Sequence, residues 1–281
     1  MISVQNLTFS YTKKPFIENM SFDVKNGEIF GFLGPSGAGK STLQKLLTGL
    51  LKKYWGSVVV NGVEVKNLDN SFYENIGVDF EFPSLYENLT ARENLRFFGS
   101  LYIKQQPADP LLERVGLLPD GNKKVADFSK GMKSRLNFIK ALIHDPALLF
   151  LDEPTSGLDP SNARVMKDMI LEQKRQGKTI LLTTHNMYDA AELCDRVAFI
   201  VDGGLRALDT PHNLIMTRGA SEVCYTYMDN GKEVQAAIPL DRTGEDETLL
   251  RLIRENRLRS VHSSEPTLNE VFVELTGRQL Q

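Results

Sequence analysis

The run Gly34-Pro35-Ser36-Gly37-Ala38-Gly39-Lys40-Ser41-Thr42 spaces its glycines, lysine and hydroxyls as a loop that encloses a triphosphate. The apolar Ile29-Phe30-Gly31-Phe32-Leu33 before it suits a buried strand, and Leu43, Leu46, Leu47, Leu50 and Leu51 after it fall at helical spacing. The loop therefore joins a strand to a helix. Glycine permits backbone angles that turn several N–H groups towards one point, and the helix N-terminus adds the positive end of its dipole. In that setting Gly34 to Thr42 bind the phosphates of a nucleotide, Lys40 neutralises the β- and γ-phosphates, and the Ser41 hydroxyl is the expected protein ligand of Mg²⁺. A plain glycine-rich turn is the alternative, and the flanking strand and helix argue against it.

The 281 residues carry 41% apolar and 25% charged side chains, enough to bury a sizeable core in one large domain or two smaller ones. A net charge of −3, with both signs scattered, argues against a nucleic-acid stripe, and no nucleic acid is expected as a partner. Cys194 and Cys224 have neither a disulfide framework nor metal spacing and read as reduced thiols of a cytosolic protein. No apolar run approaches the roughly 18 residues that span a bilayer, and Met1 leads into the strand-like Ile2-Ser3-Val4. The chain is expected to cross no membrane by itself, which leaves docking to a membrane protein open.

Upstream of the loop, Ile2-Ser3-Val4 and Met20-Ser21-Phe22-Asp23-Val24 alternate as antiparallel strands, and Trp55 to Val60 continues that pattern into a turn at Asn61-Gly62. Tyr11 is either a half-buried strand tyrosine or a flat surface for a nucleotide base. Ile76 to Phe80 forms a further strand, expected to stop at Glu81-Phe82-Pro83. A helical insert over about 82–145 follows. Thr90 and Glu93 form a capping box ahead of Leu95, Phe98 and Leu101, and a second helix carries Leu111, Leu112 and Val115. Ser129 then stands where an N-cap belongs, before a stripe of Met132, Leu136, Ile139 and Ile143.

Ala147 to Leu151 is a fully apolar strand that ends in the adjacent carboxylates Asp152 and Glu153. Acids at the carboxyl end of a buried strand lie where open α/β sheets bind ligands. Asp159-Pro160 opens a helix that stops at Gly177, Thr179 to Thr184 is another buried strand with His185 at its end, and Arg196 to Val201 turns at Asp202-Gly203-Gly204 into a partner strand. On position alone, His185 is as well read as a structural hydrogen-bonding residue. After about Thr217 the composition turns more charged, and a capping box at Thr267 and Glu270 opens a last helix with Leu268, Val271, Phe272 and Leu275, ended by Gly277.

The order of these motifs resembles the ATP-binding subunit of an ABC transporter, in the exporter branch whose membrane domains are separate chains. The residues that carry the resemblance are the phosphate loop, Glu81, Phe128-Ser129-Lys130-Gly131-Met132, Asp152-Glu153, Ser156-Gly157-Leu158-Asp159, His185 and the ending Glu265-Pro266-Thr267-Leu268-Asn269-Glu270-Val271-Phe272. It implies an α/β fold: a P-loop NTPase core with an antiparallel β subdomain and the α-helical insert over 1–216, then a small C-terminal α+β appendage over 217–281. It further implies a Mg²⁺-dependent ATPase. Asp152, with Ser41 and Glu81, would hold the metal; Glu153 would be the general base for the attacking water and His185 would touch the γ-phosphate; Tyr11 would stack on adenine. Ser129, Lys130, Gly131 and Met132 would close over ATP held by the other member of a homodimer or paired cassette, with Asp159 at the interface. Taken alone, Ser129 reads better as a helix cap than as a ligand contact, and Asp159 reads equally well as a helix N-cap before Pro160. The implied partner is a transmembrane permease, and the implied location is cytoplasmic, peripheral on the inner face of the cell membrane.

Three stretches depart from the family pattern. Phe128, Lys130 and Met132 replace the first, third and fifth places of Leu-Ser-Gly-Gly-Gln; Glu81 stands where glutamine is usual and adds negative charge; and Val78-Asp79-Phe80 replaces an aromatic-leucine-proline run. Two readings compete with the exporter ATPase. One is a soluble cassette acting in translation, repair or chromosome handling, whose relatives typically carry two cassettes or a long coiled-coil insertion that 281 residues do not accommodate. The other is a phosphate-loop kinase or GTPase, against which the combination of Asp152-Glu153 with Ser129-x-Gly131 and His185 argues.

Overall fold

The computed structural model describes residues 1–81, 84–217, 219 and 222–278. They divide into two compact units, Met1–Asp209 and Thr210–Arg278. The division precedes the expected boundary at 216/217 because the helix Pro211–Met216 packs against Leu268–Thr276 in the second unit. Among the described residues no helix is long and apolar enough to cross a membrane.

The first unit holds two sheets. Strands β1 (Ile2–Phe9), β2 (Ile17–Val24), β3 (Ile29–Leu33), β4 (Trp55–Val60) and β5 (Val63–Glu64) precede β6 (Ile76–Asp79), β7 (Leu148–Asp152), β8 (Thr179–Thr184), β9 (Arg196–Val201) and β10 (Gly204–Asp209). A four-stranded antiparallel sheet runs β2-β1-β4-β5, and a six-stranded sheet runs β10-β9-β3-β8-β7-β6, parallel except at β10. The difference follows from the side chains. β3, β7 and β8 are buried at every position, as strands covered on both faces must be, whereas β2 alternates buried and exposed residues. Val4, Leu7 and Val58 of the small sheet share one core with Phe30, Phe32 and Phe150 of the large one. The hairpins turn where two successive residues take positive φ, at Asn61-Gly62 and Asp202-Gly203.

Register places the site. Leu33 lies opposite Thr184, Asp152 opposite Thr183, and Asp79 opposite Leu151, so the carboxyl ends of β3, β8, β7 and β6 form one rim.

The helical insert contains Ala91–Gly99, Ala108–Arg114 and Lys130–Ala141. The Thr90–Glu93 capping box forms as the spacing predicts. Leu101 does not join that face: the helix ends at Gly99 and Leu101 is 65% exposed. Leu111, Leu112, Val115, Leu136, Ile139 and Ile143 are buried, whereas Met132 is only half-buried in the first turn of its helix. The expected stop at Phe82-Pro83 lies outside the described residues.

The second unit is an α+β fold. Its strands β11 (Glu222–Asp229), β12 (Lys232–Pro239) and β13 (Leu258–Ser263) form an antiparallel sheet in the order β12-β11-β13, on which the helix Glu247–Arg254 buries Leu249 and Leu252 against Tyr225. The capping box at Thr267 and Glu270 and the left-handed Gly277 bound the last helix; Leu268, Val271 and Phe272 are buried, but Leu275 is 38% exposed.

The insert gives a direct stability test. Thr90→Ala is expected to lower the unfolding free energy by about 1 kcal/mol through the lost cap. Leu95→Ala, at a fully buried position, should cost about 2–5 kcal/mol. Both are read as shifts of the urea midpoint.

Candidate nucleotide site

The phosphate loop is shaped by what its glycines avoid. A Cβ on Gly34 would meet the Ile200 carbonyl oxygen at 2.1 Å, so the loop leaves β3 against the β9 backbone only with glycine there. Gly37 and Gly39 take φ of 79° and 113°. Gly39 occupies the N-cap of the helix Lys40–Leu47 and offers no side chain to its first amides, which leaves them for a ligand. Lys40 folds back over the loop and donates to the Gly34 carbonyl at 2.7 Å and the Pro35 carbonyl at 3.2 Å. Burial pulls its pKa down, opposed by the charges of Glu153, Asp152 and Glu81.

Asp152 ends β7 as a buried carboxylate satisfied by two hydroxyls: Thr183 donates from β8, and Ser41 donates at 3.4 Å to the same oxygen. Glu153 follows in a left-handed conformation, φ 51°. The other described non-glycine residues with positive φ are all Asn or Asp, so a glutamate there is held under strain, a mark of functional sites. Its amide donates to the Thr183 carbonyl at 3.0 Å, one carboxylate oxygen lies 3.8 Å from Lys40 Nζ, and the other lies 2.9 Å from His185 Nδ1 and accepts from the His185 amide at 3.4 Å.

These groups enclose a cavity of about 260 Å³, with Ser36, Gly37, Gly39, Lys40, Ser41 and Thr42 on one side and Phe16, Glu81, Glu153 and His185 on the other. Tyr11 stands beside it, 57% exposed, its hydroxyl 3.1 Å from that of Thr42 and its ring edge-on to Phe9 and Phe16. Ser129, Lys130, Gly131 and Met132 do not border this cavity. Ser129 caps its helix by accepting from the Met132 amide, and Asp159 caps the helix Pro160–Arg175 by accepting from the Asn162 amide. Gly131 packs on the Asn162 amide group, so closely that a Cβ would meet it at 2.7 Å. Lys130 borders a second cavity, of about 300 Å³, with Asp79, Glu81, Asp152 and Glu153.

Five residues that the sequence reading passed over take part. Thr183 supplies the second donor to Asp152, a role its place in an apolar strand hints at. Phe16 lines the phosphate cavity. Thr155 donates to Asp189 at 2.7 Å, and Asp189 lies 3.2 Å from Lys167, which clamps the segment after Glu153 to the one after His185.

A phosphate-loop motif, a buried aspartate two strands away and a strained glutamate beside a histidine are the parts expected of a nucleoside-triphosphate-hydrolysing cassette. A family profile described as ABC transporter matches residues 17–156. A fluoroquinolones export ATP-binding protein of Mycobacterium tuberculosis (strain CDC 1551 / Oshkosh) is 50% identical over 285 positions, covering 100% of this chain and 94% of that protein. The Nod factor export ATP-binding protein I of Rhizobium meliloti (strain 1021) is 37% identical over 300 positions, covering 100% and 89%. A solved structure of an ATP-binding subunit of an ABC transporter superposes with a TM-score of 0.71 at 32% identity, over 78% of this chain and 93% of that one. The chain belongs to the ABC transporter family, as an ATP-binding subunit with ATPase activity.

Two of the loop glycines are expected to separate by mechanism. Gly37→Ala meets nothing within 4 Å and should cost only the left-handed strain of about 1–2 kcal/mol. Gly34→Ala must displace the β9 backbone and should abolish binding of a fluorescent ATP analogue.

Proposed function

We propose that this chain powers export through a separate transmembrane permease, working as one of a pair of cassettes that share two ATP sites. The observation that carries the catalytic part is Glu153, held in strained backbone between Lys40 and His185 at the phosphate cavity. In that place its carboxylate accepts the proton of the attacking water, and His185 orients that water and touches the γ-phosphate. Lys40 and the loop amides balance the phosphate charge. Tyr11 offers its exposed ring to adenine. Export is the activity that the similar proteins' names carry.

The donor set suits Mg²⁺ brought in with ATP. Ser41 and Glu81 are hard oxygen donors lining the phosphate cavity, Asp152 accepts from the Ser41 hydroxyl, and the charges of Glu153, Asp152 and Glu81 all act on Lys40. Among the described residues no three His, Cys, Asp or Glu side chains converge as a metal cage, so phosphate oxygens complete the shell. The metal's contribution, when bound, is to neutralise charge developing on the phosphates.

Pairing is supported by the placement of Ser129 and Gly131 outside the chain's own phosphate cavity, on a helix N-terminus suited to a γ-phosphate. Docking to the permease is supported by an apolar groove of about 240 Å³ in which Leu50, Tyr73, Val78, Phe80, Phe98 and Tyr102 converge beside Ser84. The protein then sits on the inner face of the cell membrane through its partner.

Lys40→Ala is expected to abolish nucleotide binding, Ser129→Arg to retain it yet block ATP-dependent pairing, and Glu153→Gln to trap an ATP-bound dimer on size exclusion. Equal loss of binding in Lys40→Ala and Ser129→Arg would refute the division of each site between two chains. Purification from detergent-solubilised cells is expected to recover a transmembrane protein; recovery of ribosomes or DNA without one would favour a soluble cassette.

A further inference from the structure

The carboxylate of Asp79 ends β6 at 5% exposure, a place where an apolar residue would pack without the cost of burying charge. It accepts a hydrogen bond from Asn137 Nδ2. Asn137 is 2% exposed and lies on the helix Lys130–Ala141, the helix that Ser129 caps and whose first turn carries Gly131. The same Nδ2 reaches the Phe80 carbonyl at 3.4 Å, while Asn137 Oδ1 accepts from Lys140 Nζ at 2.6 Å. This fixes the amide's orientation, since the Phe80 carbonyl only accepts and the Lys140 ammonium only donates. Lys140 in turn donates to Ser84 Oγ at 2.8 Å and stands over the Phe98 ring at 4.9 Å. One buried amide therefore ties the strand end leading into Glu81 to the helix that presents Ser129 and Gly131, and Lys140 braces Ser84 on the far side of Glu81.

The arrangement has a consequence for a paired protein. Glu81 faces the chain's own phosphate cavity, whereas Ser129 and Gly131 serve the nucleotide of the other chain. We propose that the Asp79–Asn137 hydrogen bond is a positioning link that couples the two ATP sites, carrying the seating of Glu81 on one nucleotide to the helix that closes over the other; this rests on the paired-site reading above. Neither residue touches the reacting atoms. Both act through Glu81 and through the Ser129 helix, with Lys140 and Ser84 as the outer brace. The replacement of an apolar residue by Asp79 in the run before Glu81 then has a function, since only a group that hydrogen-bonds Asn137 completes the tie.

The test removes both partners of the link together, and Lys140 keeps its bond to Ser84. Replacing both partners by apolar residues of similar size is close to neutral for folding, whereas removing one leaves the other buried and unsatisfied. Asp79→Leu combined with Asn137→Leu is therefore compared with wild type and with the exchange Asp79→Asn combined with Asn137→Asp, which restores the bond in reverse. Steady-state ATPase is measured against ATP concentration, with ATP-dependent pairing followed in the Glu153→Gln background of each. The wild type and the exchanged pair are expected to show sigmoidal kinetics, and the double leucine variant a Hill coefficient of about 1, the value for independent sites, while still pairing on ATP. A purely structural role would lower the melting temperature and leave the Hill coefficient where it was. Pairing in all three proteins with an unchanged Hill coefficient, or a wild-type value of 1, overturns the link alone. Failure of wild-type Glu153→Gln to pair overturns the paired-site reading and the link with it.

Discussion

The structure depends on satisfying a carboxylate at the buried end of a parallel strand. Asp152 sits at the end of a strand with no exposed residue, where an ion without partners would cost several kcal/mol after relaxation. Its neighbours are arranged around that cost. Thr183 donates from the adjacent strand, Ser41 donates from the first turn of the phosphate-loop helix, and Lys40, itself buried, lies within the same electrostatic field. The register of β7 on β8 sets the first contact and the tight exit of the loop at Gly34 sets the second. Sheet pairing and loop backbone are thus prerequisites of the chemistry as much as of stability.

Reactive geometry is built from that anchor outwards. Glu153, one residue beyond Asp152, inherits a fixed starting point and is then turned by a backbone conformation that costs of order 1–3 kcal/mol. The Thr155–Asp189–Lys167 clamp holds the segment behind it, and the Asn186 side chain caps the helix Met187–Leu193 behind His185. The 2.9 Å contact between Glu153 and His185 is the product of two loops constrained from behind.

The departures in the Ser129 region have plain physical accounts. Phe128 is 6% exposed and anchors the turn as an apolar residue should. Lys130 is exposed and extends its ammonium across Gly157. The cap that Ser129 provides is made to the backbone amide of Met132, which leaves the methionine side chain free to vary.

Short-range rules, by themselves, settled much of this protein. Glycine spacing around Lys40, the capping boxes at Thr90 and Thr267, the turns at Asn61-Gly62 and Asp202-Gly203, and the apolar strands before Asp152 and His185 were legible because each depends on neighbours within a few residues. Leu101, beyond the end of its helix, and Leu275, in the last turn of its own, both proved exposed, since periodicity does not report where a helix stops meeting the core. Tertiary structure alone decided which partner each buried polar group takes. Thr183 reaches Asp152 across 31 residues of sequence, Thr155 reaches Asp189 across 34, and Asn137 reaches Asp79 across 58. Such pairs are fixed by strand register and helix packing, which bring distant residues together and leave no periodic trace in the chain.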